Sequence, residues 1–281
     1  DWGGPWGNNT GRQEVYSFDP LSPTGNWRLE APYCGTKANP VHWHTDEAGV
    51  AWDAKRKVFW KIAGTEYGPG SKDPSEDNCL AAGKSVKAKV ITFDPATRLW
   101  AVPPHVAQTR FGYVTNGVLD PDKDQMVQII DKQAKHLDLA SGQWSTYGLP
   151  DGPLRFNAIV TRIGRTLWWL NRDEQLESYD LDTHKLAGYG QWPFPKKDGW
   201  GMAMTFAHGD KVLAVWPTSG PTEPRLAALY DPAKRQWTTL DQGAGWGNGG
   251  LMHSSGKLIL LGGGINGPAF HNKAVWVGEL P

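Results

Sequence analysis

Short apolar stretches broken by Gly, Pro, Asn and Asp run the length of this chain, and no segment keeps apolar residues at helical spacing over several turns. One phrase recurs. Phe93-Asp94-Pro95 leads to Trp100, Leu137-Asp138 to Trp144, Tyr179-Asp180 to Leu186 and Tyr230-Asp231-Pro232 to Trp237, each six residues beyond the Asp. An earlier copy, Ser17-Phe18-Asp19-Pro20, reaches Trp27 with two extra residues. Each copy predicts a strand ending at Asp, a turn, and a second strand, because Asp hydrogen-bonds its own backbone and Pro presets the turn dihedral. A second set of paired apolar runs lies between these hairpins. They are Gly49–Trp52 with Val58–Trp60, Gly117–Leu119 with Met126–Ile129, Ala158–Val160 with Leu167–Leu170, Met202–Met204 with Val212–Val215, and Gly250–Met252 with Leu258–Leu261. The chain is predicted to be all-β, with helix nearly absent.

Self-similarity at a period of roughly 40 to 50 residues marks a solenoid or propeller, because one such unit cannot bury its own apolar face. The expected architecture is therefore a single domain, residues 1–281, closed as a β-propeller of four-stranded blades. Five inner pairs predict five blades, and six third-strand-like segments leave six as the alternative. The segment around Val15 to Trp27 is expected to close the ring against Val275-Trp276-Val277-Gly278. With its inner strand, a second strand ending in the Gly pair of Leu260-Leu261-Gly262-Gly263, an Asp-ending third strand and a Trp-bearing fourth, the repeat resembles the Kelch-type β-propellers. The resemblance covers nearly the whole chain.

Composition agrees: 34 Gly, 21 Pro and 16 Trp describe many tight turns joined by aromatic strands. Lys plus Arg equals Asp plus Glu at 29 each, so no long-range field draws the protein to nucleic acid or to an anionic membrane. Any recognition by charge is local. The start at Asp1-Trp2-Gly3-Gly4 reads as a mature chain whose signal peptide has been removed, hence secreted or periplasmic; the protein is separately expected to be a monomer. Cys34 and Cys79 in Gly/Pro/Asn-rich stretches suit one disulfide in an oxidising compartment rather than a zinc site, with two free buried thiols as the alternative.

Candidate chemistry gathers just ahead of the inner strands. Arg155, Trp200 and Trp246 each stand eleven residues before the residue that opens a second strand, and Arg110 and His44 hold the matching places in the other two repeats. One per blade, these five are expected to ring the mouth of a central channel, where propeller loops converge on a concave site. Arg grips carboxylate or sulfate bidentately and Trp stacks on sugar rings, so the set suits an acidic sugar. The alternative is packing of the Trp under neighbouring blades and pairing of the Arg with Asp. In His42-Trp43-His44-Thr45-Asp46 alternate side chains share a strand face, which makes His42, His44 and Asp46 a candidate divalent-metal set, with His105 and His271 able to approach the same mouth. If Asp46 instead orients an imidazole, the same residues describe a general base. Tyr67 and Glu66, in a long loop, and Tyr113 are further proton-carrier candidates.

The functional expectation is a secreted carbohydrate-active propeller with one site, a lyase on an acidic (uronate) polysaccharide. In it His44, Tyr67, Arg110 and Arg155 are catalytic, Trp200, Trp246, Tyr113 and His271 hold substrate, and one divalent metal ion sits on His42, His44, Asp46 and His105. A lectin-like or protein-binding propeller without catalysis is the second reading. A metal-dependent oxidoreductase is the third, since the Kelch family includes a secreted copper oxidase. The unequal ring and the histidines gathered in one repeat favour a single specialised site over one pocket per blade. Glycosidase carboxylates drawn from Asp46, Glu47, Glu66 and Asp198 stay open, because their separations in space are not given by sequence.

Overall fold

The computed structural model describes residues 15–19, 27–31, 49–62, 90–107, 117–130, 132–152, 159–195, 204–216, 226–240, 249–252, 257–261 and 275–279. All regular elements among them are strands. A two-stranded sheet of β1 (Val15–Phe18) and β2 (Trp27–Ala31) comes first. Four sheets of four strands follow, each strand bonded to the next in chain order. The first holds β3 (Gly49–Asp53), β4 (Val58–Ile62), β5 (Val90–Asp94) and β6 (Leu99–Ala101). The second holds β7 (Val118–Asp120), β8 (Gln125–Ile130), β9 (Gln133–Asp138) and β10 (Trp144–Gly148). The third holds β11 (Thr161–Ile163), β12 (Thr166–Leu170), β13 (Gln175–Asp180) and β14 (Leu186–Gln191), and the fourth β15 (Met204–His208), β16 (Lys211–Trp216), β17 (Leu226–Asp231) and β18 (Gln236–Thr239). A three-stranded sheet of β19 (Gly249–Met252), β20 (Lys257–Leu261) and β21 (Val275–Glu279) ends the series.

These are the antiparallel sheets of an all-β propeller, with one correction to expectation. Among the described residues four blades are complete, not five or six. The fifth inner pair forms as β19 and β20, but its sheet stops at a third strand. Nor is the expected closure seen: Val275–Glu279 pairs with β20, as the third strand of its own sheet, and β1 pairs with β2. One first strand also begins later than its apolar run suggests, at Thr161 rather than Ala158, whereas Met202 lies outside the described residues. The reason is turn length. Ile163 pairs with Thr166 and His208 with Lys211, so each pair closes over two residues. Gly164 and Gly209 take the first turn position at φ 58° and 61°, a left-handed conformation that glycine adopts without a Cβ clash.

The recurrent Asp builds a second kind of turn. After Asp53, Asp94, Asp120, Asp138, Asp180 and Asp231 the fourth residue on is left-handed in every case: Lys57, Arg98, Asp124, Gly142, His184 and Arg235. Only one of those is glycine, so something else must hold the loop. It is the carboxylate: Asp138 Oδ1 accepts the N–H groups of Ala140 and Ser141 at 3.1 and 2.7 Å, and Asp180 Oδ1 those of Asp182 and Thr183 at 3.0 and 2.7 Å. These bonds favour the charged form and draw both carboxyls below their ordinary range.

The chain groups into two compact units, Asp1–Gln128 with Lys135–Thr146, and Ile129–Ala134 with Tyr147–Pro281. In the first, Trp60, Ile62, Val90, Ile91 and Phe93 are buried. In the second, alternate residues of β16 serve two cores. Val212 and Ala214 join Trp168, Leu170, Leu176, Trp192 and Tyr230, whereas Leu213 and Val215 join Met204 and Phe206. A sheet covered on both faces explains why second strands read as continuous apolar runs. Each fully buried large side chain contributes about 1.5–3 kcal/mol.

Candidate functional site where the innermost strands begin

Most residues that the sequence nominates lie outside the described residues: His42, His44, Asp46, Glu47, Glu66, Tyr67, Arg110, Tyr113, Arg155, Asp198, Trp200, Trp246 and His271, together with Cys34 and Cys79. The strands they lead into are described. Each nominee of the ring stands a few residues before the first strand of a sheet: His44 before β3, Arg110 before β7, Arg155 before β11, Trp200 before β15 and Trp246 before β19.

In the first unit β3 lies against β7, and their starting points touch. A Cβ placed on Gly117, the residue before β7, would stand 3.0 Å from the Cα of Gly49, the first residue of β3, and 3.3 Å from Met126 Cε. The absence of a side chain at Gly117 lets the two backbones meet. In the second unit β15 lies against both β11 and β19. Thr205, the second residue of β15, donates its hydroxyl to the carbonyl of Ile159, two residues before β11, at 2.6 Å. The same hydroxyl is 3.1 Å from the carbonyl of Trp168. Within each unit, then, innermost strands adjoin at the ends where they begin. The segments bearing His44 and Arg110 lead into neighbouring points of one unit, and those bearing Arg155 and Trp200 into neighbouring points of the other.

His105 is the one nominated metal ligand among the described residues, and it stands elsewhere. Its Nε2 is 3.2 Å from the carbonyl of Leu139 in the β9–β10 turn. Leu139 in turn donates its N–H to the carbonyl of Asp124, in the turn that ends β7. His105 is therefore held against the turn that follows β9, at the end of β7 opposite Gly117. Among the described residues no three His, Cys, Asp or Glu side chains gather as a cation would require.

What occupies the turn end instead is a set of ion pairs that sequence reading missed. Arg56, in the β3–β4 turn, reaches Asp53 Oδ2 at 2.8 Å and spans both oxygens of Asp124 at 2.6 and 2.8 Å. Lys55 adds a bond to Asp124 at 2.7 Å, and the indole N–H of the buried Trp60 donates to Asp53 at 3.1 Å. The Arg56 guanidinium, then Lys55, hold the Asp124 carboxyl far below the usual carboxylate range against the opposing effect of burial. Burial pushes Asp53 up, yet the bonds from Arg56 and Trp60 outweigh it and leave that carboxyl lowered too. Fully paired on all sides, the group clamps two turns together and leaves no oxygen poised for a substrate. Its signal in the sequence was spacing alone: Asp124 falls at the left-handed fourth position of its turn, where no side chain is expected to bind at long range.

In the second unit Tyr147 stacks on His184 with ring centroids 3.6 Å apart, and Tyr179 OH lies 2.9 Å from His184 Nδ1. Burial pushes the Tyr179 hydroxyl well above its ordinary pKa, so at neutral pH it keeps its proton. These rings join β10 to the β13–β14 turn, again at the turn end.

No family model and no curated protein sequence matches the chain. Solved structures do: 743 chains are similar in fold, a number too broad to choose among functions. One of them, reported as the structure of YjhT, superposes with a TM-score of 0.59 over 92% of this chain and 86% of that one, at 13% sequence identity. At that identity the likeness speaks for fold alone, and together with the four-stranded sheets it makes this chain an all-β propeller.

Proposed function

We propose that the protein is a Kelch-type carbohydrate-active propeller, secreted or periplasmic, that cleaves an acidic polysaccharide by β-elimination at one site formed where the innermost strands begin. The observation that carries the reading is the meeting of strand starts at Gly49 and Gly117 and at Thr205 and Ile159, because the segments just ahead of them hold the cationic, aromatic and imidazole side chains. Arg110 and Arg155 would pair with the uronate carboxylate and stabilise the charge that develops as the adjacent C–H is deprotonated. His44 or Tyr67 would take that proton. The electron pair forms the new double bond as the glycosidic oxygen leaves, protonated by the second of the two groups or by water. Trp200, Trp246, Tyr113 and His271 would hold the rings on either side. A divalent cation on His42, His44 and Asp46 would supply the same neutralisation of the carboxylate.

Incubation with uronate polymers and measurement of ultraviolet absorbance from the unsaturated product tests the proposal, with and without added divalent metal. Turnover that falls at least about 100-fold in both His44→Ala and Arg155→Ala, with folding intact, is the expected result. Binding of an acidic oligosaccharide without any product would instead assign the site to a lectin. Calorimetry separates the readings further, since one ligand per chain accords with a single specialised site and several with equivalent pockets.

A further inference from the structure

Innermost strand β15 opens with Met204, Thr205 and Phe206, whose side chains alternate between its two faces. Met204 and Phe206 enter a core with Leu213 and Val215 of β16. Thr205 projects from the opposite face, 2% exposed, with its hydroxyl 2.6 Å from the carbonyl of Ile159 and 3.1 Å from that of Trp168. A hydroxyl carries one hydrogen, and the shorter of the two contacts takes it. The bond therefore runs from one sheet into another, from the start of β15 to the residue two places ahead of β11.

Ile159 is held a second time, by its side chain, which packs against the core of Met204, Phe206, Leu213 and Val215. It thus belongs by sequence to the β11–β14 sheet and by contact to the β15–β18 sheet. The two anchors differ in kind. Apolar contact has no preferred direction, so it keeps Ile159 close without fixing its register. The hydroxyl bond weakens steeply as it bends, and the β-branched Thr205 side chain is stiff about χ1, so this bond sets where the chain ahead of β11 meets β15. Arg155 stands four residues before Ile159 and Trp200 five before Thr205. At no more than about 3.6 Å per residue, roughly 14 and 18 Å of chain connect the two nominees to one hydrogen bond.

We infer that Thr205 is a positioning residue of the site: its hydroxyl, bonded to the Ile159 carbonyl, fixes the segment carrying Arg155 relative to the segment carrying Trp200, so that a uronate oligomer can place a carboxylate on the guanidinium and a ring on the indole at once. Buried as it is, Thr205 acts through those two side chains and not on the ligand. This role rests on the carbohydrate reading above and adds to it the contact that sets the span between two binding groups. A misplacement of about 1 Å between such groups can cost about 100-fold, so loss of one buried hydroxyl is felt far from where it stands.

The test is calorimetric titration of the full-length protein with oligomers of galacturonate, glucuronate and mannuronate, in Thr205→Val, which removes the donor, and in Thr205→Ser, which keeps it. Expected are at least about a tenfold loss of affinity in Thr205→Val and recovery to within about threefold of the parent in Thr205→Ser. In an Arg155→Ala or Trp200→Ala background the same Thr205→Val change should cost less than about twofold, because one of the two groups it aligns is gone, whereas a general loosening of the fold would carry the full factor into both. Ile159→Ala strips the second anchor, should show the same dependence on background, and decides the matter where Thr205→Val does not fold. Unchanged affinity in Thr205→Val, or an equal factor in every background, overturns the role of Thr205 and leaves the carbohydrate reading standing. A parent protein that binds none of the three oligomers overturns that reading and, with it, this role.

Discussion

Replacing Gly142 by Ala should destabilise the protein far more than the same change at Gly164, although both glycines are left-handed. At Gly164, φ 58°, an added Cβ meets open space, so the cost is conformational, about 1–2 kcal/mol, partly offset by a stiffer unfolded chain. At Gly142, φ 71°, the same atom would stand 2.1 Å from the carbonyl oxygen of His105, 2.6 Å from its carbon and 2.8 Å from Val106 Cα. All three are backbone, so relief requires the segment from Pro103 to Ala107 to move away. Moving it loses the bond from Ala107 N–H to the Gly142 carbonyl at 3.1 Å, that from Trp144 Nε1 to the Ala107 carbonyl at 2.9 Å, and the His105 contact at 3.2 Å. At about 1 kcal/mol per bond the steric excess is about 3 kcal/mol, for a total near 4 kcal/mol. Equilibrium urea unfolding of both variants measures the difference. Agreement between the two within about 1 kcal/mol would refute the claim that segment 103–107 is pinned beneath that turn.

Gly117→Ala puts a methyl against the backbone of Gly49 at 3.0 Å and should cost about 1–3 kcal/mol by thermal unfolding, because it parts the strand starts. Glu177→Leu removes the acceptor 2.8 Å from the indole N–H of the buried Trp169 and should cost about 2 kcal/mol, partly recovered when Trp169→Phe removes the donor as well. The acid limb of stability should report Asp124. Its carboxyl is depressed in the folded state, so its contribution is present above the unfolded value near 4 and is lost as pH falls toward the folded one. A stability profile from pH 5 downward should therefore be flatter in Asp124→Asn than in the parent, and an unchanged slope would count against the Arg56 clamp.

The hairpins were legible because a physical demand repeats in the sequence. A turn whose last residue is left-handed needs a carboxylate at its head when Lys, Arg or His occupies that place, so Asp94, Asp180 and Asp231 mark three such turns directly, and Asp138 heads a fourth that ends on Gly142. Phe93 opposite Trp100 and Tyr230 opposite Trp237 confirm the spacing. The inner pairs were legible as apolar runs, but the first strand of one was not bounded correctly where Gly164 closes the turn over two residues. Closure was not legible because apolar β21 looks the same whether it ends its own sheet or joins another. The Arg56–Asp124 clamp joins residues 68 apart in sequence, and nothing local announces such a pair. Candidate site residues precede the strands rather than belonging to them, so they carry no periodicity by which pattern could place them.

Titration of an acidic oligosaccharide into the protein and into His44→Ala, Arg110→Ala, Arg155→Ala, Trp200→Ala and Trp246→Ala addresses most directly whether the strand starts assemble one site. A single binding event weakened by all five substitutions is the predicted outcome. Two independent events, or affinity untouched by changes ahead of any two of the strands, would contradict it.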